Sequence, residues 1–463
     1  MSLIDGLLIF FAIILAYFVI VLTLKKRGTL EKLNISLYGP ALLLKTTKGK
    51  KTLVKISKIK RFWKAYGSFA VFFCFIMMVL MTLVLIWQAW AVFGFTPEQK
   101  EALPGPEVAL VLPGINPILP LEFIGYIILA LAIAIIIHEF SHGILSIIAK
   151  VKVKSLGLLY LIIPIGAFVE PDEEELKKVS AVKRMRVYAA GPLSNFVMAM
   201  ITIIIFSFIF MSAVQPAADG AVIFSIDEDS PADNIGIHQG VIIYNFNDTE
   251  IKNELDLYTA INNTEANQTV TVSYAVTDKK YENLQVTLSD KYDEYEKRNY
   301  YLNNSFKNKG YFGVSSTLIK ERFTDYVSML KNPFNDIPDS LLIFYVLPLL
   351  GYFQGYNPIV EPFIQSYEIT GPLSVIPTNV FWIIVNALYW IFWLNLAVGL
   401  FNVLPMIPLD GGFLFNDGIS TLIKKIKKDI TQENVENIVR NISTGISLLI
   451  LFAIILPFII KYL

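Results

Sequence analysis

Long apolar runs separated by polar segments dominate the chain. A hydrocarbon layer of about 30 Å is crossed by a helix of about 20 apolar residues, and residues 7–24, 68–93, 123–148, 187–211, 380–403 and 446–460 read as six such spans. The first lacks a basic start and runs directly into Lys25, Lys26 and Arg27, so it reads as a retained span rather than a cleaved signal. The run 341–353 is apolar but short and is expected at the membrane interface. Residues 217–318 break the pattern. They are polar, alternate in stretches such as 270–276 and carry many turn signals, as a mainly β soluble domain does. The expected fold class is an α-helical polytopic membrane protein of about six transmembrane helices with an inserted mainly β, extracytoplasmic domain.

Composition agrees. Of 463 residues, 54% are hydrophobic and 17% charged, more apolar than the roughly 45–50% of soluble domains. Net charge is zero, which argues against a nucleic-acid partner, since such a protein needs a basic excess to displace phosphate counterions. Cys74 stands alone, excluding an intrachain disulfide and a cysteine metal site. Between residues 25 and 66 there are thirteen Lys/Arg against one acid, Glu31. Basic loops stay in the cytoplasm, so 25–66, 150–186 and 413–440 are expected inside and 96–119 and 213–340 outside. Asn247, Asn262, Asn267 and Asn303 begin N-x-S/T triplets in that outer region.

Two of the three histidines form His138-Glu139-Phe140-Ser141-His142. An H-E-x-x-H sequence on a helix puts both imidazoles on one face, where one zinc ion accepts both and the glutamate stands beside its water. Buried among apolar residues, this trio is costly unless a cation compensates it. At 1.5 Å per residue His142 lies about 12 Å and His138 about 18 Å from the boundary at Lys150. Catalytic zinc takes three protein ligands. His238 falls in the outer domain and reads as a surface residue. The better third ligand is Asp410, in Asn402-Val403-Leu404-Pro405-Met406-Ile407-Pro408-Leu409-Asp410-Gly411-Gly412, where prolines and glycines interrupt a helix near the depth of the histidines. Such backbone is tolerated at membrane depth where it lines a wet cavity. Alternatively, Asp-Gly merely opens a cytoplasmic turn.

H-E-x-x-H in one membrane helix and N-x-x-P-x-x-x-L-D-G in a later one resemble the site-2 protease family of intramembrane zinc metalloproteases. Pro113-Gly114-Ile115-Asn116, Gly166-Ala167-Phe168-Val169-Glu170 and Gly191-Pro192-Leu193-Ser194-Asn195 extend the likeness over most of residues 105–415, and the two added N-terminal spans look closer to archaeal and eukaryotic members. The resemblance implies His138, His142 and Asp410 as ligands of one Zn2+ per chain and Glu139 as general base. It also implies Asn195 and Asn402 as helpers that position the substrate or the oxyanion, although an Asn in a membrane bundle also serves as interhelical glue. It implies membrane-protein substrates with a single transmembrane helix, cut in or near that helix, as in regulated intramembrane proteolysis. Ser230-Pro231-Ala232, Ile235-Gly236-Ile237, Gly240-Val241-Ile242 and Gly310-Tyr311-Phe312-Gly313-Val314 resemble a PDZ domain, with 280–309 as an insertion. That likeness implies a peptide ligand; a spacer without one is the alternative.

The expected organisation is 1–95, two helices and a basic loop; 96–216, first part of the catalytic core; 217–318, the PDZ-like domain; 319–379, linker and interfacial segment; and 380–463, second part of the core with the last helix. Residues 156–169 are apolar and contain Gly157, Pro164 and Gly166. They predict a re-entrant hairpin whose edge pairs with an extended substrate, the alternative being a short surface helix. Three rival readings stand beside the protease. A metal transporter calls for internal repeats, and none is found. A non-catalytic PDZ-bearing scaffold calls for a broken metal motif. A metallopeptidase of another H-E-x-x-H lineage takes a downstream glutamate as third ligand.

Overall fold

Helices form where the apolar runs are long, because a backbone in hydrocarbon satisfies its polar groups only within its own segment. In the computed structural model these are α1 (Leu3–Lys26), α2 (Lys60–Ala91), α3 (Ile124–Ala149), α4 (Ala181–Ile204), α5 (Thr378–Asn402) and α7 (Gln432–Lys461), while the shorter, amphipathic α6 (Asp410–Ile426) lies between the last two. The described residues are 3–32, 35–38, 41–46, 49–101, 103–109, 116, 119, 121–161, 163–276, 279–315, 328–335, 337, 339, 340, 342, 344 and 359–462. Among them five stretches are long and apolar enough to cross a membrane: Lys60–Gly94, Leu121–Ala149, Ala181–Ala213, Thr378–Asn402 and Gln432–Lys461. The expected run 7–24 falls within α1. The interfacial expectation for 341–353 falls on residues outside the description apart from 342 and 344.

The chain forms two compact units, Met1–Ile201 with Trp390–Leu463, and Thr202–Tyr389. In the first, α2 turns Ala70, Cys74 and Met78 to Met185, Ala189 and Leu193 of α4. The small Ala70, Cys74 and Ala189 alternate here with the larger Met78, Met185 and Leu193, so the two helices interlock through side chains of unequal size. On its other face Phe69, Phe72, Ile76, Leu83 and Trp87 are exposed, a surface suited to lipid.

The same unit holds a four-stranded antiparallel sheet ordered β1 (Ile35–Tyr38), β2 (Ala41–Thr46), β3 (Val153–Leu161), β4 (Ile163–Pro171). The expected hairpin 156–169 is therefore β, and the surface-helix alternative fails. Leu156 opposes Val169 across it, and both enter a core with Leu53, Ile144 and Leu145. What the apolar pattern of the basic loop did not reveal is that residues 35–38 and 41–46 add two strands to this hairpin, Leu43 pairing with Leu159. Behind them the short helix Lys50–Ile56 buries Leu53 completely. Gly143 makes room for it: a Cβ there would lie 2.9 Å from the Leu53 side chain.

The second unit is built on an antiparallel sheet of β5 (Ala221–Val222), β6 (Ile242–Phe246), β7 (Thr249–Glu250), β8 (Thr269–Val276) and β9 (Lys279–Thr287), in order β9-β8-β6-β5 with β7 beside β6. Ile223, Ile243, Phe246, Leu257, Val272, Val286 and Phe312 form its core. Asn253 caps the helix Glu254–Asn262 by accepting from the Leu255 and Asp256 amides, the usual service of a polar N-cap. The insertion expected over 280–309 is corrected in part. Residues 279–287 belong to the sheet, opposite Thr269–Val276, and Val286 of this strand enters the core.

Replacing Leu53 by Ala removes a fully buried side chain wedged between α3 and the sheet. It is expected to destabilise the protein by about 2–5 kcal/mol, read as a lower thermal unfolding midpoint of the detergent-solubilised chain. An unchanged midpoint would mean that the short helix is not docked there.

Candidate metal centre

α3 presents His138 and His142 one turn apart, their rings 4.7 Å between centroids. The chain leaves α5 at Asn402, turns through Val403–Leu409 and re-enters a helix at Asp410. Gly411 and Gly412 allow this tight return, since a Cβ on either would meet backbone atoms of Val403, Leu404 or Met406 at 2.3–2.7 Å. Asp410 therefore opens α6 instead of a loose cytoplasmic turn. Its Oδ2 lies 2.9 Å from His138 Nε2 and 3.2 Å from His142 Nε2, and one ligand atom from each residue falls within 4.8 Å of the others.

The hydrogen bonds decide which nitrogen of each ring faces this point. His142 Nδ1 is 2.7 Å from the Val187 carbonyl, which only accepts, so Nδ1 carries the proton. His138 Nδ1 is 2.6 Å from Asn195 Oδ1. The Asn195 amide orientation is set because Nδ2 donates to the Ala134 carbonyl and to Asn395 Oδ1, both at 3.0 Å. In the neutral rings both Nε2 lone pairs then aim at the Asp410 carboxylate. Three electron-pair donors pointing at one another away from water are unfavourable, and a cation among them removes the conflict. A tetrahedral zinc with bonds of about 2.0 Å spaces its ligand atoms by about 3.3 Å, close to the separations here. Space is reserved as well: a Cβ on Gly191 would lie 2.5 Å from both Nε2 atoms. The residues fit a zinc ion.

Glu139, beside His138, directs Oε2 to the Val169 amide of β4 at 2.8 Å. Val169 thus donates away from β3, across the outer edge of the sheet. These groups line a cavity of about 760 Å³ with Tyr188, Asn402, Pro408 and Phe413, and with Phe168 to Pro171 of β4. Beside it the Ser155 hydroxyl, outweighing burial, and then the Lys45 ammonium hold the Glu170 carboxyl below the usual range, so Glu170 stays ionised at neutral pH and paired with Lys45. Asn402 lines the cavity but donates Nδ2 to the Val398 carbonyl of its own helix at 3.0 Å. His238 is exposed, bonded to the Gln239 carbonyl, in the other unit. The partners that sequence reasoning missed are Val187, a backbone carbonyl with no signature, and Asn395. The latter had a readable signal, a polar residue one heptad before Asn402 in a mainly apolar helix.

Residues 126–451 match peptidase family M50. An uncharacterised protein of Methanocaldococcus jannaschii is 24% identical over 388 residues, 83% of this chain and 80% of its own length. A protein of Clostridium acetobutylicum provisionally named a zinc metalloprotease is 24% identical over 320 residues, 62% of this chain and 84% of its own. Among solved structures, the PDZ domain of an SdrC-like protein from Listeria monocytogenes is matched at 18% identity over 24% of this chain and 94% of that domain, with a TM-score of 0.17. With the match to M50 running from the metal helix almost to the C-terminus, the chain belongs to peptidase family M50, the site-2 protease family of membrane metalloproteases.

Proposed function

We propose that this membrane protein is an intramembrane zinc metalloprotease that hydrolyses peptide bonds in or near transmembrane segments of other membrane proteins, in the manner of regulated intramembrane proteolysis. The observation that carries the reading is the meeting of His138, His142 and Asp410 in one cavity with the Glu139 carboxylate beside them. His138, His142 and Asp410 would hold one zinc ion, which supplies the Lewis acid that polarises a carbonyl and acidifies water. Glu139 takes a proton from the attacking water and delivers it to the leaving amine as the C–N bond breaks. The Val169 amide aims that carboxylate by holding one of its oxygens. Asn195 keeps the proton of His138 on Nδ1, and the Val187 carbonyl does the same for His142. Asn195 therefore serves the metal rather than the substrate, since its amide is committed to protein partners.

A helical substrate shields its peptide bonds with its own hydrogen bonds, so it must unwind before cleavage. β2 covers one edge of β3, and β4 ends the sheet order; its residues 168–171 line the cavity. An extended substrate segment adds to this edge as a further strand. The reading includes six spans, α1 among them, with the basic loop 25–66 and the metal-bearing end of α3 toward the cytoplasm. The 217–318 domain is read as a PDZ-like peptide-binding module, supported by its Gly310–Val314 motif and its sheet flanked by short helices.

Purified in detergent, the wild type is expected to carry one zinc per chain and to cleave a single-span substrate. Glu139→Gln keeps the zinc and loses about 10²–10⁴-fold in cleavage rate; equal cleavage by both forms would refute the assigned base. Asp410→Asn is expected to lose zinc under dialysis that leaves the wild type loaded, and full retention would exclude Asp410 as a ligand. Asn195→Ala is expected to weaken zinc binding about 10–100-fold in a chelator competition, whereas a role on the substrate alone predicts unchanged affinity and a raised KM.

A further inference from the structure

α6 supplies the third ligand, yet nothing in Asp410 itself fixes how that helix is rotated. Contacts with α4 run along it in opposite sequence directions. Arg184 of α4 grips Asp417 of α6, Nε donating to Oδ2 at 2.9 Å and Nη2 to Oδ1 at 2.5 Å. One turn on, the Tyr188 ring stacks on Phe413, centroids 5.4 Å apart and planes at 29°. The next turn of α4 brings Gly191 against the two Nε2 atoms that face Asp410. Nη1 of Arg184 also donates to the Val179 carbonyl at 2.7 Å, so the guanidinium is anchored to the turn before α4 while it holds α6.

The pair has only 23% and 13% of its side-chain surface exposed. A buried ion pair adds little net stability but holds geometry well, and the planar fork of arginine restricts it further. Next to the pair lies a cavity of about 340 Å³ between α6 and α7, which Arg184 and Asp417 also line. There Asn416 Oδ1 and Ser443 Oγ are buried without a hydrogen-bond partner, so these two groups build no polar bridge from α7 to α6. A side-chain end lies about 5 Å from a helix axis, so a rotation of about 10° moves it by about 1 Å. Metal–ligand distances tolerate only about 0.2 Å.

We infer that Arg184 and Asp417 are positioning residues whose fork sets the rotation of α6 and thereby places the Asp410 carboxylate against the two imidazoles. This rests on the metalloprotease reading of the site. The test measures zinc affinity of the full-length protein in detergent, by competition with a chromophoric chelator well below the unfolding midpoint of each zinc-free variant. Arg184→Gln and Asp417→Asn are expected to weaken zinc about 10–100-fold, as loss of a partner behind a ligand does, and Arg184→Lys to fall short of rescue because an ammonium has no fork. If the single variants do not fold, Arg184→Gln combined with Asp417→Asn, which leaves no unpaired charge, decides by the same affinity. The reciprocal exchange Arg184→Asp with Asp417→Arg is expected to recover part of the affinity. Affinity within twofold of wild type in a folded Arg184→Gln, or in the double variant, would reduce the pair to a fold-stabilising contact. A wild type that binds no zinc would instead overturn the metal reading itself.

Discussion

Two imidazole lone pairs and a carboxylate point at one spot among apolar helices. Polar groups left unpaired away from water are expensive, and in a low-dielectric interior the penalty for imperfect pairing rises. The surrounding structure holds the three groups so that a cation at that spot resolves the conflict. α4 takes up both Nδ1 protons, through the Val187 carbonyl and the Asn195 amide. Asn395 of α5 then receives the spare donor of Asn195. The chain returns through a turn whose glycines let Asp410 come within reach.

The same economy of space recurs along the bundle. Gly191 leaves open the volume beside both Nε2 atoms, and Gly143 leaves open the volume that Leu53 fills under the sheet. Through Leu53 the basic loop is tied to the helix that bears the histidines, and through β1 and β2 it is tied to the hairpin beside the cavity. The basic loop is thus joined to the hairpin whose β4 lines the cavity beside Glu139. Pairing of β2 with β3 leaves β4 as the end of the sheet order, and the outward amide of Val169 spends its hydrogen bond on the Glu139 carboxylate.

The sequence by itself indicated the membrane class, the helices at its six long apolar runs, the His138–Glu139–His142 face and Asp410 as the candidate third ligand, but not α6, whose residues read as part of a loop. These depend on local regularities: run length against bilayer thickness, the turn that brings i and i+4 together, and the scarcity of histidine in the chain. A hairpin over 156–169 was also legible, from apolar residues interrupted by Gly and Pro. Only the tertiary structure decided that residues 35–38 and 41–46 extend this hairpin, that Asn195 faces His138, and that Arg184 meets Asp417 across 233 positions. Contacts of that kind leave no periodic trace, because a strand partner, a backbone carbonyl such as that of Val187, or the missing Cβ of Gly191 acquires its meaning only from what the fold sets opposite it.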